Sequence, residues 1–329
     1  MDTTSPLAIL DPILHDPAVT EILIDGPARV TVERRGQPAL QDAGIQFPSV
    51  EALRAAIDAA LALGGAAFQP GQTVAEARLP DGSRVLGVLP PTAVNAGPYL
   101  VVRKFWKTPL TFDQLVEFGS VSRAGVAVLR GALLARRNLV VAGGTGSGKT
   151  TVLNLLTDLI PAAERVVAVE AFFELHLRHP RAINLCSDSS PDLTYGDLIN
   201  TAAKMRPDRL VFSELRGPET LRILDLLRGG YDGSLAAIHA TSAEDVLARL
   251  ETQCLTANLG LGLGEIRAII ASAVNVISVQ QRQPATGARK IVEIVEVDGL
   301  EHDRYRLQPL VRYEPATEEF KVLGKPSWD

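Results

Sequence analysis

The residues best suited to chemistry in this 329-residue chain form one run, Gly143-Gly144-Thr145-Gly146-Ser147-Gly148-Lys149-Thr150. It fits G-x-x-x-x-G-K-[ST], in which backbone N–H groups turn inward around phosphate oxygens. Glycines permit that turn, and a helix starting at the end of the run adds the positive end of its dipole. Gly144, Thr145, Gly146, Ser147 and Gly148 would cradle a nucleotide's phosphates. Lys149 would reach the β- and γ-phosphates, Thr150 would set its hydroxyl on Mg²⁺, and Thr151 would meet the α-phosphate. No Asn-Lys-x-Asp guanine-specificity motif occurs, which favours ATP.

Hydrolysis also needs carboxylates near the γ-phosphate, to hold Mg²⁺ through water and to polarise the attacking water. Two apolar runs end in acids. Asp208-Arg209-Leu210-Val211-Phe212-Ser213 leads to Glu214, and Arg165-Val166-Val167-Ala168-Val169 leads to Glu170. Ligand groups in an open α/β sheet gather at the carboxyl ends of strands, so both positions suit a site. A helix-terminal charge at Glu214 and a solvated loop acid at Glu170 are the structural alternatives.

These residues need elements to hold them. The pattern predicts strands over 138–142, 165–169, 182–186, 209–213 and 234–238. Helices are expected over 122–136, 150–159, 194–204, 218–229, 243–256 and 264–273, followed by a β-rich tail over 275–297. The strands are near-continuously apolar, as in a parallel sheet covered on both faces. Upstream, strands at 19–25, 29–34 and 99–105, a helix at 49–63 and a hairpin around Asp81-Gly82 predict a smaller α+β unit. The expected domains are an N-terminal α+β domain over 1–105, a linker over 106–121 and an α/β P-loop domain over 122–329. The linker's Pro109 biases Thr108 away from helix.

Composition narrows the class. Hydrophobic residues make up 46% and charged residues 22%, enough for a sizeable core. The net charge of −5 argues against a nucleic-acid reader. Two cysteines suit a reducing compartment. No apolar run approaches the roughly 18 residues that span a bilayer, and the first residues lack the basic region of a signal peptide. A cytoplasmic protein that meets membranes only through partners is expected.

The chain resembles the secretion ATPases of the type II, type IV pilus and type IV secretion superfamily. The similarity is closest to CpaF-type ATPases of tight-adherence pilus machines. It runs over about 15–315. It includes Thr20-Glu21-Ile22, Val32-Glu33-Arg34-Arg35-Gly36, Arg78-Leu79-Pro80-Asp81-Gly82-Ser83-Arg84 and Arg103-Lys104-Phe105. Beyond the phosphate loop it includes Met205-Arg206-Pro207-Asp208-Arg209, Glu214-Leu215-Arg216-Gly217, Asp232-Gly233-Ser234, Ile238-His239-Ala240-Thr241-Ser242 and Arg249-Leu250-Glu251-Thr252. The resemblance implies a RecA-like ATPase domain and a homo-hexameric ring with ATP and Mg²⁺ between domains near a subunit boundary. Its partner would be the inner-membrane platform protein of a pilus or secretion machine. It also implies a Walker B segment ending at Glu214, an acidic box around Glu170–Glu174, a histidine box at His239, and phosphate-reaching arginines at Arg84 and Arg103. A planar guanidinium suits developing γ-phosphate charge, and an imidazole at His239 would sense that phosphate. Four departures from the family pattern stand at Ala171, Ser213, the pair Ala236-Ala237, and Lys204. Ala171 offers no carboxylate where the family usually has one, which bears on hydrolysis more than on binding. A motor and a slowly hydrolysing regulatory ring are therefore the two expected functions.

Overall fold

The structure, a computed structural model, describes residues 5–34, 37, 39–93, 97–104, 110–187 and 193–328. Arg35, Gly36, Phe105 and positions 106–109 of the expected linker lie outside the described residues. The chain divides into two units, Met1–Pro109 with Pro284–Ala288, and Leu110–Gln283 with Arg289–Asp329.

In the first unit, β1 (Val19–Asp25), β2 (Val30–Arg34), β3 (Gln41–Asp42), β4 (Val74–Arg78), β5 (Arg84–Val88) and β6 (Tyr99–Arg103) form an antiparallel sheet. The strand order is β3-β2-β1-β6-β5-β4. A short helix, α1 (Asp11–Leu14), precedes the sheet, and α2 (Val50–Leu63) packs on it. Ser49 caps α2 by accepting the Ala52 N–H at 3.2 Å. Leu53, Ala56, Ile57, Ala60 and Leu61 then fall on one buried stripe. Gly87 lets α2 approach β5, since an added Cβ would lie 2.7 Å from Ile57 Cγ2. Arg84 and Arg103 are direct cross-strand partners, and Arg103 in turn faces Glu21.

The second unit holds α3 (Phe112–Glu117), α4 (Arg123–Leu134), β7 (Leu139–Gly143), α5 (Lys149–Thr157), β8 (Val166–Glu170), β9 (Ala182–Cys186), α6 (Tyr195–Lys204) and β10 (Arg209–Phe212). It continues through α7 (Glu219–Arg228), β11 (Leu235–Ile238), α8 (Ala243–Thr256), α9 (Leu263–Ala273), β12 (Val276–Arg282), β13 (Arg289–Glu301), β14 (Arg304–Glu314) and β15 (Glu319–Val322). The sheet order is β15-β14-β13-β12-β7-β11-β10-β8-β9. From β12 to β9 every pairing is parallel. From β12 to β15 it is antiparallel.

Two cores explain the near-continuous apolar strands. Along β7, Val140 and Ala142 enter the core shared with α6, α7, α8 and α9, while Leu139 and Val141 enter the core shared with α4 and α5. Both faces are covered, so neither needs polar residues. Two features of the second unit differ from the sequence expectation. The β tail continues beyond residue 297 through β14 and β15. The stretch expected as linker contains α3, where the Thr111 hydroxyl accepts the Gln114 N–H at 3.2 Å and Leu115 is buried. Six residues give too short a run for helical periodicity to register. Among the described residues, no helix is long and apolar enough to cross a membrane.

Candidate nucleotide site

Four parallel strands end side by side in the order β7, β11, β10, β8. The residues at or just past their carboxyl ends are Gly143, His239, Glu214 and Glu170. The candidate site is thus assembled by strand order from four separated stretches of sequence.

The loop between β7 and α5 is held by its own contacts. Gly146 and Gly148 take φ of +70° and +99°, which a side chain would strain. A Cβ on Gly143 would meet Ser147 Oγ at 2.3 Å and Gln280 O at 2.6 Å, so the strand must end in glycine for the turn to close. Ser147 Oγ donates to Gly144 O at 2.8 Å. Lys149 Nζ donates to Gly143 O at 3.0 Å and Gly144 O at 2.9 Å. From the outer side, Arg289 Nε donates to Gly146 O at 2.8 Å.

Lys149 Nζ also lies 3.4 Å from His239 Nδ1, and His239 Nε2 lies 3.8 Å from Glu214 Oε1. Lysine, imidazole and carboxylate therefore form a chain across three neighbouring strands. Burial lowers the pKa of Lys149, against the pull of Glu214 and Glu174. Burial and then the Lys149 charge lower that of His239. Both shifts disfavour the cationic forms, and a negative charge brought close acts in the opposite direction.

The two carboxylates of the acidic box have different surroundings. Glu170 is fully buried. Its Oε2 accepts the N–H groups of Glu174 and Leu175, each at 2.7 Å, and its Oε1 accepts Asn184 Nδ2 at 3.1 Å. Burial pushes its pKa up to about 7, with those three donors opposing. Glu174, read from sequence only as the far end of the acidic box and given no role of its own, has its Oε2 3.3 Å from the Thr150 hydroxyl that donates to it. The signal that could have found Glu174 was its i+4 offset from Glu170, inside the acidic segment.

Ala171 is buried in the apolar core shared with α6, α7, α8 and α9. Thr145 lies in the loop and Thr151 in the first turn of α5, as read. In the other unit, Arg103 Nη2 pairs with Glu21 Oε1 at 3.3 Å, and Arg84 stands opposite Arg103. Among the described residues no group of three or more His, Cys, Asp or Glu could hold a metal alone.

The chain belongs to the type II/IV secretion system protein family, whose sequence profile matches residues 4–299. It is 29% identical to the type IV secretion system protein PtlH of Bordetella pertussis, over 89% of this chain and 95% of that protein. It is 27% identical to the conjugal transfer protein TrbB of Rhizobium radiobacter, over 92% and 90% of the two chains. The crystal structure of the pilus retraction motor PilT with bound ADP has the same fold, with a TM-score of 0.62, 16% identity, and 92% and 82% of the chains covered. The ATPase DotB of Legionella pneumophila matches with a TM-score of 0.60 and 16% identity, over 89% and 81%. Family, fold and phosphate loop together make this chain an ATPase.

Proposed function

We propose that the protein is an ATP-hydrolysing motor, acting as a homo-hexamer in the cytoplasm at the inner-membrane platform of a pilus or secretion machine. The observation that carries this reading is the convergence of Lys149, His239 and Glu214 on a phosphate loop at the carboxyl edge of a parallel sheet. The relatives named for type IV secretion and conjugal transfer support a role in transport.

In this reading Lys149 exchanges its loop carbonyls for the β- and γ-phosphates. Glu174 and Glu214 orient the attacking water and take its proton, and His239 relays γ-phosphate charge between Lys149 and Glu214. Arg84 and Arg103 keep the phosphate-binding role that the family resemblance gives them. The oxygen donors Thr150, Glu174 and Glu214 fit Mg²⁺, a hard cation that takes few protein ligands beside phosphate and water. When bound, Mg²⁺ neutralises charge on the β- and γ-phosphates.

The test is phosphate release from the purified full chain with Mg²⁺ and ATP, beside Lys149→Ala and Glu214→Gln, with mass from light scattering. Turnover lost in both variants, in a wild type of six subunits, is the expected result. Unchanged turnover in Lys149→Ala would sink the reading. A second reading, a ring that binds nucleotide and hydrolyses slowly, rests on Ala171 standing where the family pattern usually has an acid. Tight ATP binding with no release above background, even with the membrane partner added, would select it.

A further inference from the structure

The candidate site leaves one charged pair without a role. Arg282 closes β12 and Arg289 opens β13, and the two are direct cross-strand partners. Like charges directly opposite each other on a sheet are destabilising, and the pair's place in the fold gives it a use. β12 runs parallel to β7 with Gln280 opposite Gly143, so the hairpin extends two residues past the point where β7 gives way to the phosphate loop.

Both arginines approach the loop there. Arg289 Nε donates to Gly146 O at 2.8 Å. The Arg289 stem passes 3.3 Å from where a Gly148 Cβ would stand, and Arg282 Nη1 lies 3.7 Å from the same point on Gly146. These are the two loop glycines with positive φ, +70° and +99°. A phosphate nest requires that backbone shape, because it turns successive N–H groups to one side and carbonyls to the other. A cationic donor on the Gly146 carbonyl fixes that peptide with its oxygen outward and its partner N–H groups inward.

We propose that Arg289 is a positioning residue for nucleotide binding, a clasp on the outer side of the phosphate loop that holds the nest in its phosphate-accepting shape. It acts through the loop backbone. The proposal rests on the nucleotide reading of this loop and adds a residue to it. A clasp of this kind strengthens ground state and transition state alike, so its loss raises Kd and KM and leaves kcat nearly unchanged.

The experiment titrates mant-ADP with Mg²⁺ into the full-length wild type, Arg289→Ala, Arg289→Lys and Lys149→Ala. Steady-state phosphate release and amide hydrogen exchange of the loop peptide are measured on the same proteins. Loss of one charge-assisted bond should raise Kd and KM roughly tenfold in Arg289→Ala. kcat should stay within about threefold, and loop exchange should be faster. Arg289→Lys, which keeps a cationic donor, should fall between wild type and Arg289→Ala. If Arg289→Ala unfolds, Arg289→Lys carries the same comparison with a smaller expected shift. Unchanged Kd and loop exchange in a folded variant would overturn the proposal. So would a kcat loss of about a hundredfold at unchanged Kd, which would make the contact one with the reacting phosphate. A wild type that binds no mant-ADP would fail the nucleotide reading itself, a result distinct from equal binding by wild type and Arg289→Ala.

Discussion

Replacing each acid of the box in turn separates holding a loop from doing chemistry. Glu170→Gln keeps a carbonyl oxygen that can still accept the Glu174 and Leu175 N–H groups, now 2.7 Å from Oε2. The new amide NH₂ would face Asn184 Nδ2, which donates to Glu170 Oε1 at 3.1 Å and also to Leu175 O at 3.1 Å. That donor facing donor forfeits one hydrogen bond, about 1 kcal/mol or roughly fivefold. Removing a fully buried charge works in the opposite direction. Glu170→Gln should therefore keep kcat within about tenfold of wild type. Glu174→Gln preserves size and changes only the charge beside the Thr150 hydroxyl at 3.3 Å. Loss of a general base typically lowers kcat by roughly 10²–10⁴, or about 3–5 kcal/mol of barrier. Steady-state phosphate release with saturating Mg²⁺ and ATP reads both variants, and mant-ADP titration confirms that each still binds. A Glu170→Gln protein inactive by a hundredfold beside an active Glu174→Gln protein would refute the reasoning and return the chemistry to Glu170.

Three further outcomes are expected. The Glu170 carboxyl is raised from 4.5 to about 7 in the folded protein, so its contribution to stability is fully present below about pH 4.5 and is lost as pH rises through 7. That is about 3 kcal/mol, and urea unfolding from pH 5 to 8 should show this slope in wild type and lack it in Glu170→Gln. Arg209, 1% exposed, is paired with Glu164 and bonded to Leu133 O and Gly233 O; Arg209→Ala should lower unfolding free energy by about 3–5 kcal/mol, and an unfolding midpoint equal to wild type would contradict this. Ala171 is 6% exposed in an apolar core, so Ala171→Asp should lower the melting temperature without raising turnover, and a faster enzyme would restore the missing-acid account of slow hydrolysis.

Much of this protein was legible in sequence because its signals are local. The phosphate loop is contiguous, and the strands of the second unit are apolar runs bounded by turns, so Lys149, Thr150 and Glu214 could be read directly. Glu170 was legible as a strand-ending acid, but which way its carboxylate turns depends on Asn184 in the next strand and on the folding back of residues 174 and 175. No local pattern encodes that, and it is why the proposed mechanism gives the water-activating role to Glu174, four residues on. Ala171 was legible as a departure from the family pattern; its burial was not, because the core it joins is built from strands and helices mostly tens of residues away. Arg289 is the limiting case. It meets Gly146 across a gap of 143 positions through the pairing of β12 with both β7 and β13. Sheet register sets that contact, and register follows from the whole pattern of burial along several strands. Residue types alone thus gave the groups proposed to touch phosphate, while the groups that hold those in place came from topology.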